Sequence, residues 1–290
     1  MTSMTRLAAR TPVVPGLDHI LVATDFSLDG DRAIRRAAVL PLRRDAQISL
    51  VHVLPAAPNR SADSVVLGAA EQELERAEVK LVDWLEAAGQ SRVTVRLRLI
   101  RGSAAEEISR LAQATRPDLI VMGRRGTRSL RELLLGSTAQ RVVRGARFPV
   151  LIVAKPPREA YRCLVAGFDF SPDALRAARV GARLIPPVSR AIAVHASLTG
   201  GDPASARQLA RKVRRAMPKR PGSAQWQLVV GDDDPRRLIL DVTRDRTADL
   251  IALGSLGRTG VGRVLIGSVA EGVLQHAAAD VLIVPTRDVR

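Results

Sequence analysis

A single cysteine, Cys163, stands in a chain of 290 residues. That excludes a disulfide framework and any multi-cysteine metal site, and a reducing, cytoplasmic setting is the expectation. Aromatic residues are as scarce: two Trp, one Tyr and four Phe make up 2% of the chain. Proteins that hold single-stranded nucleic acid stack bases on aromatic platforms, and few are present here. No run reaches the ~18 uninterrupted apolar residues of a membrane-spanning helix, and the N-terminal MTSMTRLAAR has no apolar stretch behind its arginines, so neither a span nor a secretory leader is expected. Lysine is rare too, at four positions (Lys80, Lys155, Lys212, Lys219), so arginine supplies almost all of the 45 basic charges set against 29 acidic ones.

What the chain does have is apolar residues, 46% of the total against 26% charged, enough to build a core. The net charge of +16 suits an anionic partner such as a phosphate compound. It is not concentrated, however. Residues 1–155 hold 24 basic and 16 acidic groups and residues 158–290 hold 21 and 13, which is +8 in each part. The excess therefore reads mainly as arginine-rich composition, and charge alone does not argue for nucleic acid.

The same even division appears in the sequence itself. ILVATDFSLDGDRAIRRAAVL from Ile20 matches CLVAGFDFSPDALRAARVGARL from Cys163, with Asp25 and Asp169 in register. LIVMGRRG is repeated as LIALGSLG, LLLGSTAQRVV as VLIGSVAEGVL, and VLIV occurs at Val150 and Val281. A 130–150-residue self-similarity means two domains, expected over 1–155 and 160–290. KPPREAYR from Lys155, polar and rich in proline, reads as the linker. The copies differ most between their second and third strands, where the second copy is shorter by about fourteen residues.

In each copy short Val/Ile/Leu runs alternate with longer stretches of helical spacing. Strands are expected near 18–24, 47–53, 93–99, 118–122 and 149–154, and again near 163–167, 190–196, 225–230, 249–253 and 281–285. Strands apolar on both faces, each followed by a helix, imply an α/β fold with a doubly wound parallel sheet in each domain.

In such sheets ligands bind beyond the carboxyl ends of the strands. Strand one ends in Thr24-Asp25 and strand four in Met122-Gly123. A carboxylate at the first is able to accept hydrogen bonds from an adenine or ribose, although taken alone Asp25 is more simply a cap for the next helix. The glycines add weight. Gly123-x2-Gly126-x9-Gly136-Ser137 recurs with identical spacing as Gly254-x2-Gly257-x9-Gly267-Ser268. Glycines after a strand let backbone N–H groups approach phosphate oxygens, and a small residue at a helix start leaves its N–H groups open to an anion.

The strings VATDFS, SLVHV, RPDLIVMGRRG and LLLGSTAQRVV, with the G-2x-G-9x-G-S/T spacing, resemble the universal stress protein family, here as a tandem member over nearly the whole chain. The resemblance implies a Rossmann-like domain of strand order 3-2-1-4-5, repeated about a pseudo-twofold axis, in an ATP-binding stress-response regulator with little or no catalysis. Site residues carried over are Asp25, Val53, Met122, Gly123, Gly126, Gly136, Ser137 and Thr138 in the first copy, for ATP with or without Mg2+. In the second they are Asp169, Ala196, Leu253, Gly254, Gly257, Gly267, Ser268 and Val269. Phe168 stands where the first copy has Thr24, so a partly filled second pocket is expected, and a scaffold role with one or both sites vestigial is the alternative. Arg124, Arg125 and Arg128 either contact a triphosphate or point to solvent.

Members of the family pair through the last strand, which implies that 150–153 and 281–284 pair within this chain; homodimerisation beyond that is left open. His52 and His195 read as structural, Asp232-Asp233-Asp234 as a helix cap, and the basic run from Arg207 as a solvated helical face. No HExxH, Walker A or Cys/His cluster is present, and Ser137 and Ser268 have no base nearby in sequence.

Overall fold

A computed structural model describes residues 16–56, 60–126, 135–157, 159–197, 203–217, 226–256 and 266–286. The first copy contributes β1 (Leu17–Thr24), α1 (Leu28–Ala38), β2 (Leu42–Leu54), α2 (Arg60–Ala87), β3 (Thr94–Arg101), α3 (Ala104–Thr115), β4 (Leu119–Gly123), α4 (Ser137–Gly145) and β5 (Val150–Val153). The second repeats the order with β6 (Cys163–Gly167), α5 (Pro172–Arg183), β7 (Arg190–Ala196), α6 (Pro203–Ala216), β8 (Trp226–Gly231), α7 (Pro235–Asp245), β9 (Leu250–Gly254), α8 (Ser268–His276) and β10 (Asp280–Val284). The shortening of the second copy falls in the interval that holds α6, 14 residues long where α2 has 28.

All strands join one ten-stranded sheet of order β3-β2-β1-β4-β5-β10-β9-β6-β7-β8. Each half is parallel with the order 3-2-1-4-5, and the second half is the first in reverse. The one antiparallel junction is β5 with β10, where Leu151 faces Leu282, Val150 faces Ile283 and Ile152 faces Val281. Val150 and Val281 are equivalent in the repeat, so Leu151 pairs with its own counterpart and the pseudo-twofold axis passes between them. Both strands are wholly buried.

The helices divide cleanly. Ala33 and Ile34 of α1, Leu74 and Leu81 of α2, Ala177 of α5 and Val213 of α6 pack in one core layer with Leu151 and Leu282. Ile108 of α3, Val142 of α4, Ile239 of α7 and Val273 of α8 form the other. Central strands are therefore covered on both faces, which is why they read as continuous aliphatic runs rather than alternating ones. Two aspartates fix the strand entrances in the same way in each copy. Asp118 accepts from the N–H groups of Asp18 and His19, and Asp249 from those of Arg162 and Cys163.

The linker is anchored at Tyr161. Tyr161 is fully buried with its ring 4.0 Å from the Arg36 guanidinium carbon, and its hydroxyl donates to Asp280 at 2.7 Å. Asp280, with no exposed surface, also accepts from Arg36 Nε at 3.1 Å and from the N–H groups of Ala154 (2.9 Å) and Lys155 (3.2 Å). Lys155, Pro156, Glu159 and Arg162 of the linker are exposed, while Arg36 and Asp280 hold Tyr161.

Candidate functional site

At the end of β1 the chain turns sharply. Phe26 adopts a left-handed conformation (φ 59°), its N–H donates to Thr24 Oγ1 at 3.0 Å, and its ring lies 4.3 Å from that of His52. The same device recurs at Phe170 (φ 66°), 5.0 Å from His195. A non-glycine residue in this region is strained unless its surroundings hold it, and such strain clusters at functional sites. The turn frees Asp25 from capping. Ser27 caps α1, its Oγ accepting from Gly30 N at 3.1 Å, while Asp25 Oδ1 accepts from Ser27 N and Ser27 Oγ. Asp25 thereby borders a cavity rather than closing a helix.

The glycines earlier noted in sequence are required by close approach. A Cβ on Gly123 would lie 2.5 Å from the Asp29 carbonyl in the first turn of α1, and one on Gly126 would lie 2.5 Å from Asp25 Oδ2. Gly136 is the N-cap of α4 and has no side chain with which to satisfy the N–H groups that follow; Gly267 stands likewise before α8. By contrast α1, α5 and α7 are closed by Ser27, Ser171 and Asp234, the last confirming the acidic cap. Four N–H groups at a helix start lack intrahelical partners, and the dipole there favours an anion. The loop between the glycines is pinned at its base in both copies, by Gly136 N to Arg124 O (2.9 Å) and Gly267 N to Ser255 O (2.7 Å).

These groups meet around a cavity of about 610 Å³. All eight residues expected in the first copy line it: Asp25, Val53, Met122, Gly123, Gly126, Gly136, Ser137 and Thr138. Ala104 and Ile108, one turn apart on α3, complete its wall; no motif marks them, since small and apolar helical residues look like any core position. The second copy holds a cavity of about 320 Å³ lined by Asp169, Ala196, Leu253, Gly254, Gly267, Ser268 and Val269. Gly257 and Arg128 lie outside the described residues. Phe168, 5% exposed, lines the second cavity and packs edge-on against Phe170 at 4.9 Å, occupying space that Thr24 leaves open in the first.

Each histidine lines the cavity of its own domain and is held to the end of that domain's first strand. His52 Nδ1 donates to Thr24 O at 2.8 Å and His195 Nδ1 to Phe168 O at 2.6 Å; a carbonyl only accepts, so the proton sits on Nδ1 in both. Arg124 and Arg125 both line the first cavity, and each also has partners within the protein. Arg125 is tied to Asp29 Oδ2 through both its backbone N and its Nε, each at 3.1 Å. Arg124 reaches into the other domain, donating to the carbonyls of Gln275 and Ala277 at the end of α8. Burial, and then the neighbouring Arg125, lower the pKa of Arg124. On α6, Arg207, Arg211, Arg214, Arg215 and Lys212 are exposed, as a solvated face should be. Among the described residues no group of three or more His, Cys, Asp or Glu is placed to hold a metal, and no helix is long and apolar enough to cross a membrane.

The family model described as the universal stress protein family matches residues 16–154 and again 160–285. Over 302 aligned residues the chain is 27% identical to a universal stress protein of Mycolicibacterium smegmatis, spanning 92% of this chain and 97% of that one. A universal stress protein of Methanocaldococcus jannaschii is 30% identical over 145 residues, 48% of this chain and 84% of its own. Among solved structures, a universal stress protein from Archaeoglobus fulgidus shares the fold with a TM-score of 0.71 at 21% identity, covering 92% of this chain and 98% of that one.

Proposed function

The chain belongs to the universal stress protein family, and we propose that it is a cytoplasmic stress-response regulator that binds ATP in its first domain with little or no turnover. One observation carries the reading. The cavity of about 610 Å³ places a carboxylate, Asp25, at one side and the glycine cradle with the uncapped start of α4 at the other. The cavity lies within the size range of small-molecule sites. Asp25 is an acceptor suited to ribose hydroxyls or an adenine amino group, and the Val53 and Met122 walls suit a purine face. The N–H groups beginning α4, with the hydroxyls of Ser137 and Thr138, suit phosphate oxygens. Mg2+ would enter with the triphosphate.

What supports binding over hydrolysis is the set of partners taken by the described side chains around the cradle. His52 is committed to the wall through Thr24 O, and Arg124 and Arg125 are committed to α8 and Asp29. Phosphoryl transfer relies on a residue that orients the nucleophile and on cations aimed at the transferring group.

For the second domain the scaffold alternative has its own support: Phe168 narrows the cavity to about 320 Å³. The position of Thr138 is taken there by Val269, which removes a hydroxyl donor. We therefore assign one ATP per chain, to the first domain.

Isothermal titration with Mg2+-ATP tests this directly, with native mass spectrometry of the freshly purified chain as a second readout. One equivalent is expected. No binding at millimolar ATP overturns the reading, and turnover of order 1 s⁻¹ or faster overturns the claim of a binder.

A further inference from the structure

Arg124 sits where the two domains and the first cradle meet. Its backbone closes the cradle: the N–H donates to Val153 O at 3.0 Å and the carbonyl accepts from Gly136 N at 2.9 Å. Its side chain lines the first cavity but continues across the β5–β10 junction, where Nη1 donates to Ala277 O at 2.7 Å and Nη2 to Gln275 O. Those carbonyls end α8, so they lack intrahelical partners and carry the negative end of its dipole, which suits a cation. A planar guanidinium is able to hold both at once, as an ammonium on a flexible stem is not.

The repeat supplies a comparison inside the same molecule. Ser255 is the equivalent of Arg124, and its backbone makes the same two bonds, to Val284 O at 2.9 Å and from Gly267 N at 2.7 Å. Its hydroxyl only accepts from Thr286 N within its own domain. Backbone closure is thus common to both loops, whereas anchorage in the opposite domain belongs to the first alone.

We infer that Arg124 is a positioning residue for the first phosphate cradle, holding it in place by using the C-terminal end of the second domain's α8 as its anchor. The second domain then completes the first site, and preorganisation of the loop is what this side chain contributes to affinity. The inference rests on the nucleotide reading above. It predicts a selective effect, because on the reading above Gly126 and Gly136 take the phosphates while Asp25, Val53 and Met122 take the nucleoside.

The test is titration of the full chain with ATP and, separately, with adenosine. Arg124→Ser copies the residue that the second loop already carries, so the loop tolerates it. ATP affinity is expected to fall about tenfold, the equivalent of losing one charge-assisted hydrogen-bonded contact. Adenosine affinity should stay within about twofold, the scatter of a substitution that leaves its contacts alone. Arg124→Lys, able to reach one carbonyl but not both, should fall between the two for ATP. Equal losses for ATP and adenosine would indicate general damage to the fold and overturn the inference, as would unchanged ATP binding. Failure of the unmodified chain to bind ATP would instead bring down the nucleotide reading and this inference together.

Discussion

The two halves of this chain pair strand for strand about a shared axis, yet their cavities differ about twofold, at about 610 and 320 Å³. What is kept is the frame: the Ser27 and Ser171 caps, the left-handed Phe26 and Phe170, the histidine bonds to the end of the first strand, and the glycine closure of the loop. What has changed lies on the cavity walls, at Thr24/Phe168, Val53/Ala196, Arg125/Leu256 and Thr138/Val269. Residues that set backbone direction have no substitute once strands and helices are packed around them. A side chain that faces open volume is released from that constraint, so duplication leaves one copy free to lose ligand chemistry while it still supplies half of a sheet.

The largest effect is expected where the halves have no counterpart at all. Asp280 corresponds to Pro149, and its buried cluster with Arg36 and Tyr161 exists once. Asp280→Ala leaves the Arg36 charge and two N–H groups buried without their acceptor. It should cost about 3–5 kcal/mol in denaturant unfolding, and a loss below 1 kcal/mol would show that the junction stands on strand pairing alone.

Next comes the pair of carboxylates. Asp25→Ala should weaken ATP by about 1.5–3 kcal/mol, the worth of hydrogen bonds to a charged acceptor, whereas Asp169→Ala should leave the ATP isotherm unchanged. Equal losses from the two would erase the distinction between the sites.

Copying one wall onto the other is a gentler probe. Thr24→Phe should reduce ATP affinity by at least about tenfold by narrowing the first cavity toward the second. Phe168→Thr should open the second without adding a second equivalent of ATP, because Val269 lacks the Thr138 hydroxyl and Ser255 lacks the cross-domain anchor of Arg124. A stoichiometry of two in that variant would mean that volume alone separates the sites.

The smallest effect concerns acid. His19 and Cys163 are equivalent, and burial lowers the His19 pKa below the ordinary value of about 6.5. The unfolded imidazole therefore takes up a proton before the folded one does, so this contribution to stability is present above about pH 6.5 and is lost as pH falls below it. A shallow decline of melting temperature on that side, abolished by His19→Gln, is the expected result; an unaltered slope in the variant would assign the acid sensitivity elsewhere.

Much of this was legible before any coordinates. Strands stood out because burial on both faces makes them continuously aliphatic, as in LIVM at 119–122 and VLIV at both junction strands. The repeated Gly-x2-Gly-x9-Gly-Ser spacing marked both cradles, since the Asp29 backbone lies too close to Gly123 for a side chain there. Other features were not legible. KPPREAYR read only as a linker because nothing in its own composition announces Arg36 or Asp280, the latter more than a hundred residues away. The anchoring of Arg124 on the second domain and of Arg125 on Asp29 was hidden too, because sequence shows proximity along the chain and not direction in space.

The sequence by itself determined the duplication, the alternation of strand and helix, and the places where only glycine fits, because those follow from local sterics and from the period of apolar burial. Tertiary structure decided which cavity is larger, where Arg124 and Arg125 point, and what anchors the join at Tyr161. Each of these depends on side chains brought together from distant parts of the chain, and their distances are set by packing, which no local pattern encodes.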